Sequence, residues 1–219
     1  MKIASSVLFG FISLMLSICL SPKSASAETV DKVLIIIKEI HGSAELQFLE
    51  NNEVFLMKHS LEEAGFLVEI ASASGRTFLK GNLTLESDFK LSEVVIGDYN
   101  GFMITCSALG VNTSLDRKQV PAFGEAYSKP EEVAIAKQIV DSGKPVAAQD
   151  RAVIILAEAG VLEGKKYSYK HELQIGNAIY GGQGIVRDGN IITYAYCPYW
   201  GSLDQTVELT KTLIDLLQQ

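Results

Sequence analysis

Histidine and cysteine are both scarce, with three of each in 219 residues. His41, His59 and His171 form no i,i+4 pair and no cluster with cysteine, so the usual nitrogen and sulfur ligands of a metal are missing. A metal held by Glu53, Asp150 and His41 is the one combination to weigh, and it is not favoured. His59 reads as a helix-surface residue and His171 as part of a polar loop. The chain also has no G-x-G-x-x-G, no Walker loop and no G-x-S-x-G. These absences argue against dinucleotide binding, phosphate-loop chemistry and a serine elbow, and no cofactor or metal is expected. Positive charge is short as well: 19 Lys and Arg stand against 26 Asp and Glu, a net charge of −7. Bulk charge of that sign excludes nucleic acid and anionic lipid as partners. There is no internal repeat, low-complexity segment or linker, which leaves a single domain.

The N-terminus carries a different signal. Val7 to Leu20 is an apolar run of 14 residues that follows Lys2 and ends before Pro22. Ala25-Ser26-Ala27 supplies the small-x-small pattern of a cleavage site. The run is short for a bilayer core of ~30 Å, and Ile18 is bulky for the position before a lipidated Cys19. Residues 1–27 therefore read as a signal peptide cut near Ala27. Residues 28–219 form the mature domain, secreted or periplasmic, with no stable membrane insertion after cleavage. Loss of Lys2 and Lys23 moves the net charge to −9. Cys106 and Cys197 remain, and an oxidising compartment invites a disulfide between them, although spacing alone does not decide it.

The mature chain alternates two periodicities. Val33 to Ile37 is a continuous β-branched run, as a strand covered on both faces requires. Residues 51–64 have apolar positions at 54, 55, 57 and 61, a helical spacing closed by Gly65. Phe66 to Ala71 is a second strand, and a polar connection follows from Ser72 to Asp98. Gly101 to Cys106 is a third strand, and 107–128 is a long loop. Pro130 and two acids open a helix that ends at Ser142-Gly143. Pro145 to Ala148 is a fourth strand, and 152–159 is an apolar helix. Asp188-Gly189 turns a hairpin over 185–193, and 206–217 is an amphipathic helix. The order predicts an α/β three-layer sandwich, with a mainly parallel flavodoxin-like sheet and helices on both faces. Sites in such sheets lie beyond the carboxyl ends of the strands. The residues there are 38–53, 106–111, 149–151 and 194–201.

Several stretches carry a family resemblance: Val33 to Ile37, Glu53 ahead of Ala64-Gly65, Leu83 to Asp88, Asp98 to Ile104, Gly143 to Ala148, Leu156 to Gly160, and Val186 to Thr193. Taken in register, they make the chain similar to the ThiJ/PfpI superfamily, of glutamine-amidotransferase-like fold. The resemblance implies a nucleophilic cysteine on the elbow between the fourth strand and its helix, a Gly-Gly pair after the third strand and a glutamate near the first helix. Glu53 matches the glutamate. Asp150 stands at the cysteine position with Arg151 next to it, and Cys106-Ser107 replaces the Gly-Gly pair. Thiol-dependent glyoxalase, deglycase and peptidase activities, which rest on that cysteine, are therefore not expected. The resemblance also implies a homodimer.

Glu53 and Asp150 are expected to approach one another, and two close carboxylates share a proton. They then form either an acidic pocket that binds or modestly transforms a small polar molecule, or the acid–base pair of a hydrolase or hydratase. Arg151 is read as a counter-ion to Asp150 or an anchor for a substrate anion. A simpler reading has Asp150 capping the helix that follows. Cys106 and Ser107 are candidate ligand-binding residues, as are Tyr196 and Trp200 of the aromatic segment 194–200. Those aromatics suit either a pocket or the interface of a dimeric ligand-sensing or interaction module.

Overall fold

The computed structural model describes residues 30–39, 49–80, 83–106, 128–196, 198 and 203–219. Residues 1–27, expected as a leader, lie outside them. The main sheet has seven strands: β1 (Lys32–Ile37), β2 (Leu67–Ser72), β5 (Phe89–Lys90), β6 (Gly101–Ile104), β7 (Val146–Gln149), β10 (Val186–Asp188) and β11 (Ile191–Tyr194). Their order across the sheet is β10-β11-β7-β6-β1-β2-β5. Every neighbouring pair is parallel except β10 and β11, the antiparallel hairpin turned by Gly189 at φ 61°. The mainly parallel α/β sandwich expected from the alternating periodicities is therefore present.

Four α-helices cover the sheet: α1 (Phe55–Glu63), α2 (Pro130–Asp141), α3 (Ala152–Glu158) and α4 (Leu203–Leu217). The pleat of β1 shows how the layers are held. Leu34 and Ile36 pack with Ile135, Ile139 and the apolar side chains of α3, whereas Val33, Ile35 and Ile37 pack with Met57, Leu61, Leu209 and Leu213. Alternate side chains of one strand thus feed two separate cores, and so none of its apolar residues can face water. Helices α2 and α3 lie on one face, α1 and α4 on the other.

Two regions depart from the sequence reading. The connection 72–98 holds the small hairpin β3 (Phe78–Lys80) and β4 (Leu83–Leu85), the edge strand β5 and two 3₁₀ turns. A second two-stranded sheet joins β8 (Lys166–Tyr167) to β9 (Ile179–Tyr180). These strands are two or three residues long, too short for any alternation to register. Helix α4 begins at Leu203, three residues before the position expected. No helix among the described residues is long and apolar enough to cross a membrane.

Candidate functional site at the carboxyl edge of the sheet

The parallel register brings four segments to one edge. Ile36 pairs with Ile104, Ile104 with Ala148, and Ala148 with Thr193, so these residues form one row across β1, β6, β7 and β11. Two residues beyond that row stand Lys38, Cys106, Asp150 and Ala195. Residues distant in sequence therefore become neighbours because their strands run the same way and end at the same level.

β7 passes directly into α3 through Asp150 and Arg151. Asp150 has φ 50°, the only positive φ of a non-glycine residue in the described chain. Aspartate tolerates the left-handed region better than most residues, at a cost of roughly 1–2 kcal/mol for an L side chain. The first bonds of the helix are made by backbone: Val153 N–H donates to Asp150 O at 3.0 Å, and Ile154 N–H to Arg151 O at 3.1 Å. The N-cap position is Arg151, with no side-chain cap. Helix capping by the Asp150 carboxylate is thus corrected, because the left-handed turn aims that side chain away from the helix N–H groups.

The carboxylate is fully buried. Its Oδ2 accepts the Cys106 thiol at 3.5 Å and the Lys170 ammonium at 3.0 Å. Lys170 Nζ is also 2.9 Å from Oδ1, a charge contact without an aligned hydrogen bond. The same ammonium lies 6.0 Å from the centroid of the Tyr196 ring, which packs edge-on to Tyr194.

Glu53 comes from the opposite side. It sits in a π-helical turn, Leu49–Val54, that leads into α1, and it is fully buried. Single π turns often accompany functional sites because the wider turn re-aims side chains. Glu53 Oε1 accepts the Cys106 backbone N–H and, at 2.8 Å, the Gln149 amide. Gln149 Oε1 in turn accepts the Thr206 hydroxyl of α4 at 3.3 Å. Glu53 and Asp150 therefore converge on Cys106, one on its backbone and the other on its sulfur.

The remaining candidates sort as follows. Cys106 is buried, and its expected pairing with Cys197 lies outside the described residues. Ser107, Cys197, Trp200 and His41 lie outside the described residues. Arg151 is half-buried, and its charge acts on Lys38. His59 is exposed beside Glu63, and His171 is exposed against the Tyr169 ring. Among the described residues no group of three His, Cys, Asp or Glu could hold a metal. Sequence reasoning missed Lys170 and placed Gln149 at the edge without giving it a role. Lys170 lies in an irregular segment with no periodicity to place it, and Gln149 ends an otherwise apolar strand, a position where a buried amide must have a partner.

A second charged group lies beside the first. Lys38, Glu39 and Glu132 are buried at the end of β1 and the start of α2. Lys38 Nζ is 3.7 Å from Glu132 Oε2 and 3.2 Å from Ser128 Oγ. Glu132 accepts the backbone N–H groups of Glu39 and Lys129, and Lys129 Nζ meets Glu39 Oε2 at 2.7 Å. Ser74 donates both its N–H and its hydroxyl to Glu39 Oε1. Burial holds Lys38 below the usual lysine range, against the pull of the Glu132 and Glu158 charges. Burial likewise raises Glu132, against the Lys38 charge. For Glu39 burial acts upward, but the bonds from Lys129 and Ser74 outweigh it and the carboxyl lies low.

Comparison with known proteins bears on this edge directly. Residues 123–201, which include the elbow, match the DJ-1/PfpI family. Over that stretch, about a third of its length, the chain is similar to the family. The ThiJ/PfpI architecture recurs in solved structures. A ThiJ/PfpI domain protein from Brachyspira murdochii is 18% identical with TM-score 0.61, over 87% of this chain and 98% of that one. DJ-1beta from Drosophila melanogaster is 19% identical with TM-score 0.57, over 86% and 91%. A DJ-1 superfamily protein from Agrobacterium tumefaciens is 15% identical with TM-score 0.59, over 85% and 90%. Likeness at such identities carries the fold alone. Curated proteins include no sequence match to the chain.

Two measurements test the site as built. Glu53→Ala removes the acceptor of two buried donors, and each orphaned donor costs about 1–3 kcal/mol. Denaturant unfolding should show a loss of about 2–5 kcal/mol, most of it recovered in Glu53→Gln, which keeps a carbonyl acceptor. An equal loss in both variants would mean that charge, not acceptance, is what the site needs. The second measurement uses pH. Glu39 has a folded pKa below its ordinary 4.5, so the folded state binds fewer protons. Its contribution is present above pH 4.5 and lost as pH falls through the lower folded value. The stability gap between wild type and Glu39→Gln should therefore narrow on acidification, and a gap independent of pH would rule out the paired carboxylate.

Proposed function

We propose that this protein is an exported ThiJ/PfpI member that works without an elbow thiol and binds a small polar molecule at the Asp150–Lys170–Cys106 edge. The observation that carries the reading is a fully buried carboxylate held at φ 50° on the elbow, with a lysine on its solvent side. Nothing in the sheet or in α3 needs an aspartate there. Glycine would adopt the turn without strain, and an apolar residue would avoid burying charge. A backbone conformation and a charge that both oppose stability, kept together at a strand terminus, fit ligand recognition.

Binding accounts for the carboxylates better than the acid–base pair does. Glu53 Oε1 already accepts two N–H donors, which favours an ionised acceptor over a proton donor. Asp150 is paired with the Lys170 ammonium, 2.9 Å away. Each carboxylate is thus engaged by donors of the protein itself, which gives the division into an acid and a base no geometric support. A sulfur nucleophile is also poorly served, since Cys106 donates to a carboxylate and a negative neighbour opposes the thiolate.

Thermal-shift titration with small polyols, amines and carboxylic acids tests the site. One of these classes should raise the unfolding midpoint of wild type and leave Asp150→Asn unmoved. A ligand at a hundred times its Kd stabilises by about 2.7 kcal/mol, well within detection. The same response in both proteins would remove the elbow from the binding site. Export is tested separately, by N-terminal sequencing of the protein recovered from the extracytoplasmic fraction. The expected first residue is Glu28, and a chain retaining Met1 inside the cell would end the export reading.

A further inference from the structure

The elbow site, if it binds a small molecule as proposed above, says something about which one. The Lys170 ammonium touches both oxygens of Asp150, at 2.9 and 3.0 Å, and stands 6.0 Å from the Tyr196 ring. A buried carboxylate with an aromatic face beside it is the chemical set that recognises an organic ammonium. The second buried carboxylate, Glu53, also reaches Cys106, so the surroundings favour positive charge.

Lys170 itself is placed to leave. Its backbone is pinned: Lys170 O accepts Gln183 Nε2 at 2.8 Å, and the preceding Tyr169 N–H donates to Gly182 O at 3.1 Å. Its side chain is 29% exposed, whereas that of Asp150 is 1% exposed. A four-carbon stem with part of its length exposed can swing outward without moving the chain that carries it. The departing ammonium would uncover a carboxylate with one oxygen, Oδ1, that has no aligned hydrogen bond. Such an acceptor takes a second donor carried next to the ammonium of a ligand.

We propose that Lys170 is a built-in stand-in for the ligand, and that the elbow site takes a small primary ammonium compound, with a hydroxyl on the neighbouring carbon, in place of the lysine. Lys170 is then a specificity-determining residue. Its tethered ammonium sets the concentration a ligand must exceed, and removing it relieves the competition.

The test uses the full mature protein and two probes of similar size, ethanolamine and ethylene glycol, followed by calorimetric titration and thermal unfolding. Lys170→Met keeps the apolar stem and removes the charge. This variant should melt below wild type, regain its midpoint in ethanolamine, and bind ethanolamine at least tenfold more tightly than wild type does. Ethylene glycol should do neither, and Asp150→Asn in the same background should abolish the gain. Lys170→Gln serves the same purpose should the methionine variant not fold. Equal ethanolamine affinity with and without the lysine, equal response to ethylene glycol, or a gain that survives Asp150→Asn would each overturn the proposal. If another class of molecule binds wild type through Asp150 while ethanolamine does not bind the lysine variants, the ammonium assignment falls and the elbow site stands. If nothing binds in either experiment, both fall.

Discussion

A parallel strand that passes straight into a helix must turn within about two residues, and here the turning residue is Asp150 in the left-handed region. The rest of the site follows from that turn. The strand before it and the helix after it are fully or almost fully buried, from Val146 to Gln149 and from Ala152 to Ala157. Their packing is what holds a strained residue in place, since roughly 1–2 kcal/mol of backbone cost is small beside the apolar area buried on either side. The turn throws the side chain beyond the sheet, toward Cys106 and Lys170, rather than back toward the helix it begins.

Burial then dictates the partners. A carboxylate shut away from water needs a counter-charge and hydrogen bonds, and Asp150 finds them in Lys170 and the Cys106 thiol. Glu53 meets the same demand with backbone and amide donors. Two buried acids that both contact one cysteine are thus handled in two ways, one by charge pairing and one by donor count. The difference separates them in role: Glu53 ties β6, β7 and α4 together through Gln149 and Thr206, while Asp150 keeps a partner that reaches solvent.

The neighbouring Lys38–Glu132 pair obeys the same physics with a different outcome. Both side chains are fully buried, and burial pushes each toward its neutral form. Glu39 and Lys129 extend the group toward the surface, and the direct bonds there reverse the effect of burial. The result is a charged belt around the end of β1, which fixes the start of α2 against the sheet.

Much of the architecture was legible before any coordinates. The unbroken apolar run of β1, the Pro130 helix start and the Asp188-Gly189 turn each state a local rule that the chain obeys, and strand–helix alternation then leaves few topologies. Glu53 and Asp150 were legible as edge residues for the same reason, since strand ends can be counted along the sequence. The short strands β3, β4, β5, β8 and β9 were not, because two or three residues carry no period. Nor was the identity of Asp150's partner: Arg151 is adjacent in sequence, but Lys170, twenty residues away, makes the pair. Sequence by itself determined where the layers and their edges lie, because hydrophobic periodicity is a local property. Only the tertiary structure decided which charges meet at that edge, because a buried ion pair depends on distance through space, and the folded sheet alone sets that distance.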